Sequence, residues 1–126
     1  MKLLKDIMKN QLSENASVLI IGNEILSGRT IDKNFNFIAS KLNEHGISIS
    51  ESRTVSDNEQ EIINAINELR KKYNYVFTTG GIGPTHDDVT AESISKAFNV
   101  ELEINEEAYK ILEDYYKELG SEFNDV

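Results

Sequence analysis

Three glycines and two adjacent acids stand close together in the string TTGGIGPTHDDVT, residues 78–90. Gly80, Gly81 and Gly83 permit backbone angles and close approaches that a Cβ would obstruct, so successive amides can turn toward an anion. A helix after such a turn adds its positive end. Such a turn either only saves space between strand and helix or captures a phosphate or diphosphate, with Thr79 then orienting the ligand. Asp87 and Asp88 follow at once, and their charge would repel a phosphate unless a cation lay between. That points to a divalent ion on oxygen ligands, most readily Mg²⁺. Asp88, like Thr90, also suits a helix N-cap, and spacing leaves both roles open. Neither a Walker pattern nor a GxGxxG fingerprint is present, because Thr85 and His86 interrupt both.

Two shorter segments offer partners for this loop. Gly22, Asn23 and Glu24 follow an apolar run, where Glu24 suits a metal, a ligand hydroxyl or the ordering of its own loop. Asp57, in the string VSDN, suits either a metal held jointly with Asp88 or the first turn of a helix. His86 is a possible phosphate donor or an exposed loop residue, and His45 fits a helix end beside Gly46.

The elements that must position these residues follow from apolar spacing. Leu3, Leu4, Ile7 and Met8 predict a short amphipathic helix, covering either the sheet or a subunit contact. ASVLII, residues 16–21, reads as a strand buried on both faces. A helix from Asp32 places Phe35, Ile38, Ala39 and Leu42 on one face and ends near Gly46. Ile47, Ile49, Arg53 and Val55 suggest an alternating strand. Ser56 and Glu59 match a capping box before a helix with Ile62, Ile63, Ile66 and Leu69 inward. YVFTT, residues 75–79, is a further strand, leading into the glycines. Ala91, Ile94, Ala97 and Phe98 mark another helix, and residues 100–104 a brief strand. Asn105 caps a last helix whose Ala108, Ile111, Leu112, Tyr115 and Leu119 are expected to face inward, with Gly120 as its stop. Alternating strands and helices imply an α/β fold, a three-layer sandwich around a mainly parallel sheet with right-handed crossovers. In such sheets ligands gather at the carboxyl ends of strands, where all three candidate segments fall.

Composition narrows the function classes. With 126 residues, residues 1–126 make one domain. A net charge of −9 opposes nucleic-acid binding, which requires clustered Lys and Arg. There is no cysteine, so any metal must sit on oxygen or imidazole. No apolar run approaches the ~20 residues that span a bilayer. A cytoplasmic location, with no membrane partner, is the expectation.

The strings IGNEILSGRT, VSDN and TTGGIGPTHDDVT together resemble the molybdopterin-binding domain shared by MogA, MoaB, gephyrin and CinA. The GPTHDD variant is similar to the CinA branch and to the amino-terminal domain of eukaryotic FAD synthase, over about residues 16–120. The resemblance implies a MoaB/Mog-like fold and a pocket for molybdopterin or a nucleotide diphosphate. In MogA-like members, acids matching Asp57 and Asp88 support magnesium-dependent adenylylation of molybdopterin, with the turn matching Gly80 and Gly81 against the ligand. CinA-like members are associated with hydrolysis of ADP-ribose or related compounds. For a divalent-metal-dependent pyrophosphatase acting on ADP-ribose or FAD, Asp57 and Asp88 would be the catalytic metal ligands. Gly22, Asn23, Glu24, Thr79, Gly80, Gly81, Gly83 and Asp87 would bind the ligand. The alternatives are an inactive homologue acting as an oligomeric or partner-binding protein, and a molybdopterin adenylyltransferase of molybdenum cofactor biosynthesis. The resemblance further implies a homo-oligomer, and a domain that family members continue beyond Gly120 into a segment helping to close the pocket.

Overall fold

The computed structural model describes Leu3, Leu4 and residues 14–120. Most of the expected amino-terminal helix, including Ile7 and Met8, lies outside the described residues. The strands are β1 (Asn15–Ile21), β2 (Ser48–Val55) and β3 (Tyr75–Thr79). The helices are α1 (Asn23–Leu26), α2 (Asn34–Glu44), α3 (Glu59–Lys72), α4 (Thr90–Phe98) and α5 (Glu106–Glu118).

The apolar run of β1 takes the centre of a three-stranded parallel sheet, in the order β2-β1-β3. Its residues 16–21 are all buried, as a strand covered on both faces requires. Asn15 and Asn74 exchange amide bonds at the start of the sheet, each backbone N–H donating to the other's Oδ1 at 3.2 Å. Strand order reverses at β1: one crossover runs from β1 through α2 to β2, the next from β2 through α3 to β3. Right-handed crossovers in opposite directions put α2 and α3 on opposite faces. A crevice therefore opens beyond the carboxyl end of β1, at the topological switch point.

One core dominates. Leu19 and Ile21 of β1 pack with Ile62, Ala65, Ile66 and Leu69 of α3, and Val55, Val76, Ile94 and Ala97 close around them. Ile63, expected inward, is only half-buried, and Ala65 takes its place. On the other face, α2 half-buries Phe35, Ile38, Ala39 and Leu42, as their spacing predicts.

Several local expectations are corrected. Helix α2 begins at Asn34, because Asp32 spends its carboxylate on capping: its two oxygens accept from the N–H groups of Asn34 (3.3 Å) and Phe35 (3.0 Å). Helix α3 is capped by Asn58, whose Oδ1 accepts from Glu61 N–H at 3.1 Å. Ser56 instead donates to the Glu61 carboxylate at 2.7 Å, so the expected box is displaced by two residues. Helix α4 turns Thr90 and Ser93 inward, leaving Ala91 exposed and Phe98 half-exposed under Arg70. Residues 100–104 form no strand, because among the described residues no neighbouring strand pairs with them.

The largest correction concerns α5. Asn105 caps it as expected, accepting from Ala108 N–H at 2.9 Å. Yet Ala108, Ile111, Leu112, Tyr115 and Leu119 are exposed rather than inward, and no residue of α5 is buried. The amphipathic spacing suffices to make the helix, but its apolar stripe stays exposed. Among the described residues no helix is long and apolar enough to cross a membrane.

Candidate functional site

The three expected segments meet at the switch point. After β1, Gly22 N–H donates to Val55 O at 3.0 Å, which draws the β1 and β2 ends together. Asn23 then clasps Asp57. Its N–H donates to Asp57 Oδ2 at 3.0 Å, and Asp57 N–H donates back to Asn23 Oδ1 at 3.3 Å. Asn23 thus holds Asp57 in place. Glu24 folds its carboxylate over Gly22, where a Cβ would come within 2.5 Å of Oε1. Glu24 is half-buried, and among the described residues its carboxylate has no hydrogen-bond or ion-pair partner.

The glycine turn after β3 is built by backbone geometry. Gly80 (φ 94°) and Gly81 (φ 63°) both lie in the left-handed region. A Cβ at Gly80 would be driven into the Ile21 carbonyl oxygen, and one at Gly81 into Thr90 Oγ1. Buried Thr90 fastens the turn from below: Oγ1 donates to Gly80 O (2.9 Å) and its N–H to Gly81 O (3.2 Å). The turn divides two clefts. The first, about 370 Å³, is lined by Ile21, Glu24, Ile31, Lys33, Asn34 and Thr79, with Gly80 at its edge. The second, about 540 Å³, has Gly81, Gly83, Thr85, Asp88 and Leu102 in its wall.

Asp88 is held by its own loop. Thr85 donates to Oδ2 twice, from N–H at 3.0 Å and from Oγ1 at 2.8 Å. The Thr85 hydroxyl, then its amide, hold the Asp88 carboxyl below the usual range; partial burial opposes them and the Gly83 amide adds to them. Asp88 stays anionic without capping α4, whose cap residue is Val89. Asp87 lies outside both cleft walls, exposed and paired with exposed His86 at 3.4 Å. His45 sits at the end of α2, its Nδ1 2.8 Å from Lys41 O.

Three contributors escape the sequence reading. Asn34 Nδ2 donates to Thr79 Oγ1 at 2.8 Å, across 45 residues, and no local pattern signals such a pair. Thr85 was legible in principle, since a Thr three residues before an Asp is a local side-chain bonding pattern. Thr90 reads as a cap, whereas it serves as the floor of the turn.

Comparison with known proteins follows the same segments. Residues 17–123 match the family model described as "Probable molybdopterin binding domain". A CinA-like protein of Flavobacterium psychrophilum is 39% identical over 106 residues, 81% of this chain and 25% of that protein. The crystal structure of the protein CinA from Thermoplasma acidophilum superposes with a TM-score of 0.77 at 35% identity, covering 90% of this chain and 66% of that one. The tungsten cofactor synthesizing protein MoaB from Pyrococcus furiosus superposes with a TM-score of 0.65 at 28% identity, over 86% and 66% of the respective chains. The chain spans less than half the length of the curated relatives it matches.

Proposed function

From the premise that the chain belongs to the molybdopterin-binding domain family, in its CinA-like, MoaB/Mog-like branch, we propose that it binds a phosphate-bearing pterin or nucleotide diphosphate at residues 78–90 and hydrolyses the nucleotide class with a divalent ion. The observation that carries this reading is the turn itself. Gly80 and Gly81 are pressed against Ile21 and Thr90 with no room for side chains, between two clefts and beside an acid kept anionic.

The donors suit a divalent ion that completes its shell with the ligand's phosphate oxygens and water. Asp57 and Asp88 each commit Oδ2 to the fold, leaving lone pairs on the second oxygen. Among the described residues no group of three or more acids or histidines forms a cage of its own. Mg²⁺ is accordingly the ion proposed, since it is commonly bound through one or two carboxylates plus phosphate. It would supply charge neutralisation at the phosphate. The chain's own part is to hold: Asn23 fixes Asp57, Thr85 fixes Asp88, and Asn34 orients the Thr79 hydroxyl. Hydrolysis joins a water oxygen to one phosphorus and breaks the bridging P–O bond, and the turn amides are the donors available for the charge that develops.

The test is AMP release from ADP-ribose or FAD with Mg²⁺, followed by chromatography. Turnover should fall about 100-fold in Gly80→Ala and in Asp88→Asn. Saturable binding without AMP would reduce the function to binding, and absence of binding to any diphosphate would overturn it.

A further inference from the structure

Helix α5 carries an apolar stripe that its half-buried face does not use. Tyr109, Glu113 and Tyr116, spaced i, i+4 and i+7, are its half-buried residues, whereas Ala108, Ile111, Leu112, Tyr115 and Leu119 stay exposed on a neighbouring face. At about 3.6 residues per turn, Glu107, Asp114 and Glu118 fall together along one edge of that stripe. Among the described residues none of these three forms an ion pair, while Lys117 is spent on Glu113 at 2.8 Å. A contiguous apolar stripe calls for a cover, and its acidic edge selects the charge of that cover. A second copy of α5 fits poorly, because antiparallel two-fold pairing would set the same acids against each other in a chain of net charge −9.

The complement stands at the other end of the sequence. Residues 1–12 carry Leu3, Leu4, Ile7 and Met8 at helical spacing, with Lys2, Lys5 and Lys9 at i, i+3 and i+7 against a single acid, Asp6. Residues 101–119, by contrast, hold seven acids and two lysines. Leu3 is 74% exposed and Ile111 63%, so each apolar surface is open to the other. We propose that residues 1–12 dock on the α5 stripe of the same chain as a basic amphipathic helix. Leu3, Leu4, Ile7 and Met8 then cover Ile111, Leu112, Tyr115 and Leu119, and the lysines lie over the acidic edge. The lysine stems add apolar cover while their ammonium groups stay in water. A helix of this length measures about 18 Å. That exceeds the radius of gyration of about 14 Å expected for such a domain, so a segment tethered to β1 has the reach. The docking is independent of the phosphate-binding reading above.

The experiment is NMR of the full chain carrying one spin label at Asn10→Cys, a clean site because the protein has no cysteine of its own. The label should broaden the amide signals of α5, and sharp signals there would overturn the docking. In a mixture of spin-labelled chains with isotope-labelled chains lacking the spin label, α5 should stay sharp. Broadening in that mixture would rule out the same-chain assignment. Lys5→Glu combined with Lys9→Glu should remove most of the broadening, and its retention would refute the charge pairing. Without any label, Ile7→Asp should speed amide exchange in α5 about tenfold and leave α3 unchanged. Unaltered exchange in α5 would sink the proposal by an independent route, and the α3 signals report that the variant is folded.

Discussion

Thr85 and Asp88 show how one side chain sets another's charge. Two hydrogen bonds converge on Asp88 Oδ2 and favour the anion, which lowers its pKa in the folded chain. The linked stability is present above the unfolded value of about 3.9 and is lost as pH falls through the lower folded value. Thr85→Val removes the larger contributor and keeps the amide bond. Asp88 should then titrate closer to the ordinary range by carboxyl NMR, and acid unfolding should begin at a higher pH. An unmoved Asp88 titration would show that the hydroxyl is not what sets it. Asn23 positions Asp57 through a clasp whose two halves lie 34 residues apart.

Among the helices, the same cap has different consequences according to what the helix packs on. Asn58 and Asn105 each accept from a backbone N–H three residues on, at 3.1 and 2.9 Å. Helix α3 carries four buried residues of the core, so loss of its cap is felt by the whole fold. Helix α5 buries none. Asn58→Ala should cost about 1 kcal/mol in urea unfolding. Asn105→Ala should leave the global transition in place and speed amide exchange within α5 alone. Equal losses of global stability from both would mean that α5 is coupled to the core. The strands obey a similar logic: residues 100–104 have strand-like composition, yet a strand also needs a neighbour to take its backbone bonds.

For the molecule as a whole, the asymmetry of burial is the main energetic fact. Leu69 is fully buried between sheet and helices, whereas Leu112 is 45% exposed on α5. Leu69→Ala should destabilise by about 2–5 kcal/mol through lost transfer energy and a cavity. Leu112→Ala, with far less packing around it to lose, should cost about 1 kcal/mol or less. Thermal or urea unfolding of the two variants checks both, and a large loss from Leu112→Ala would show that α5 is packed in solution. Sequence by itself determined the α/β order, the central burial of β1, the glycine turn within residues 78–90 and the family, because these rest on local apolar spacing and on a dense, contiguous motif. It also placed Gly22–Glu24, Asp57 and Gly80 at strand ends. Only the tertiary structure decided which carboxylate oxygens the fold consumes, that Asn34 reaches Thr79, that the turn separates two clefts, and that the apolar stripe of α5 stays exposed. Those facts depend on pairs distant along the chain. Periodicity states that a residue is suited to burial; whether a partner surface lies opposite it is set by the packing of the whole chain.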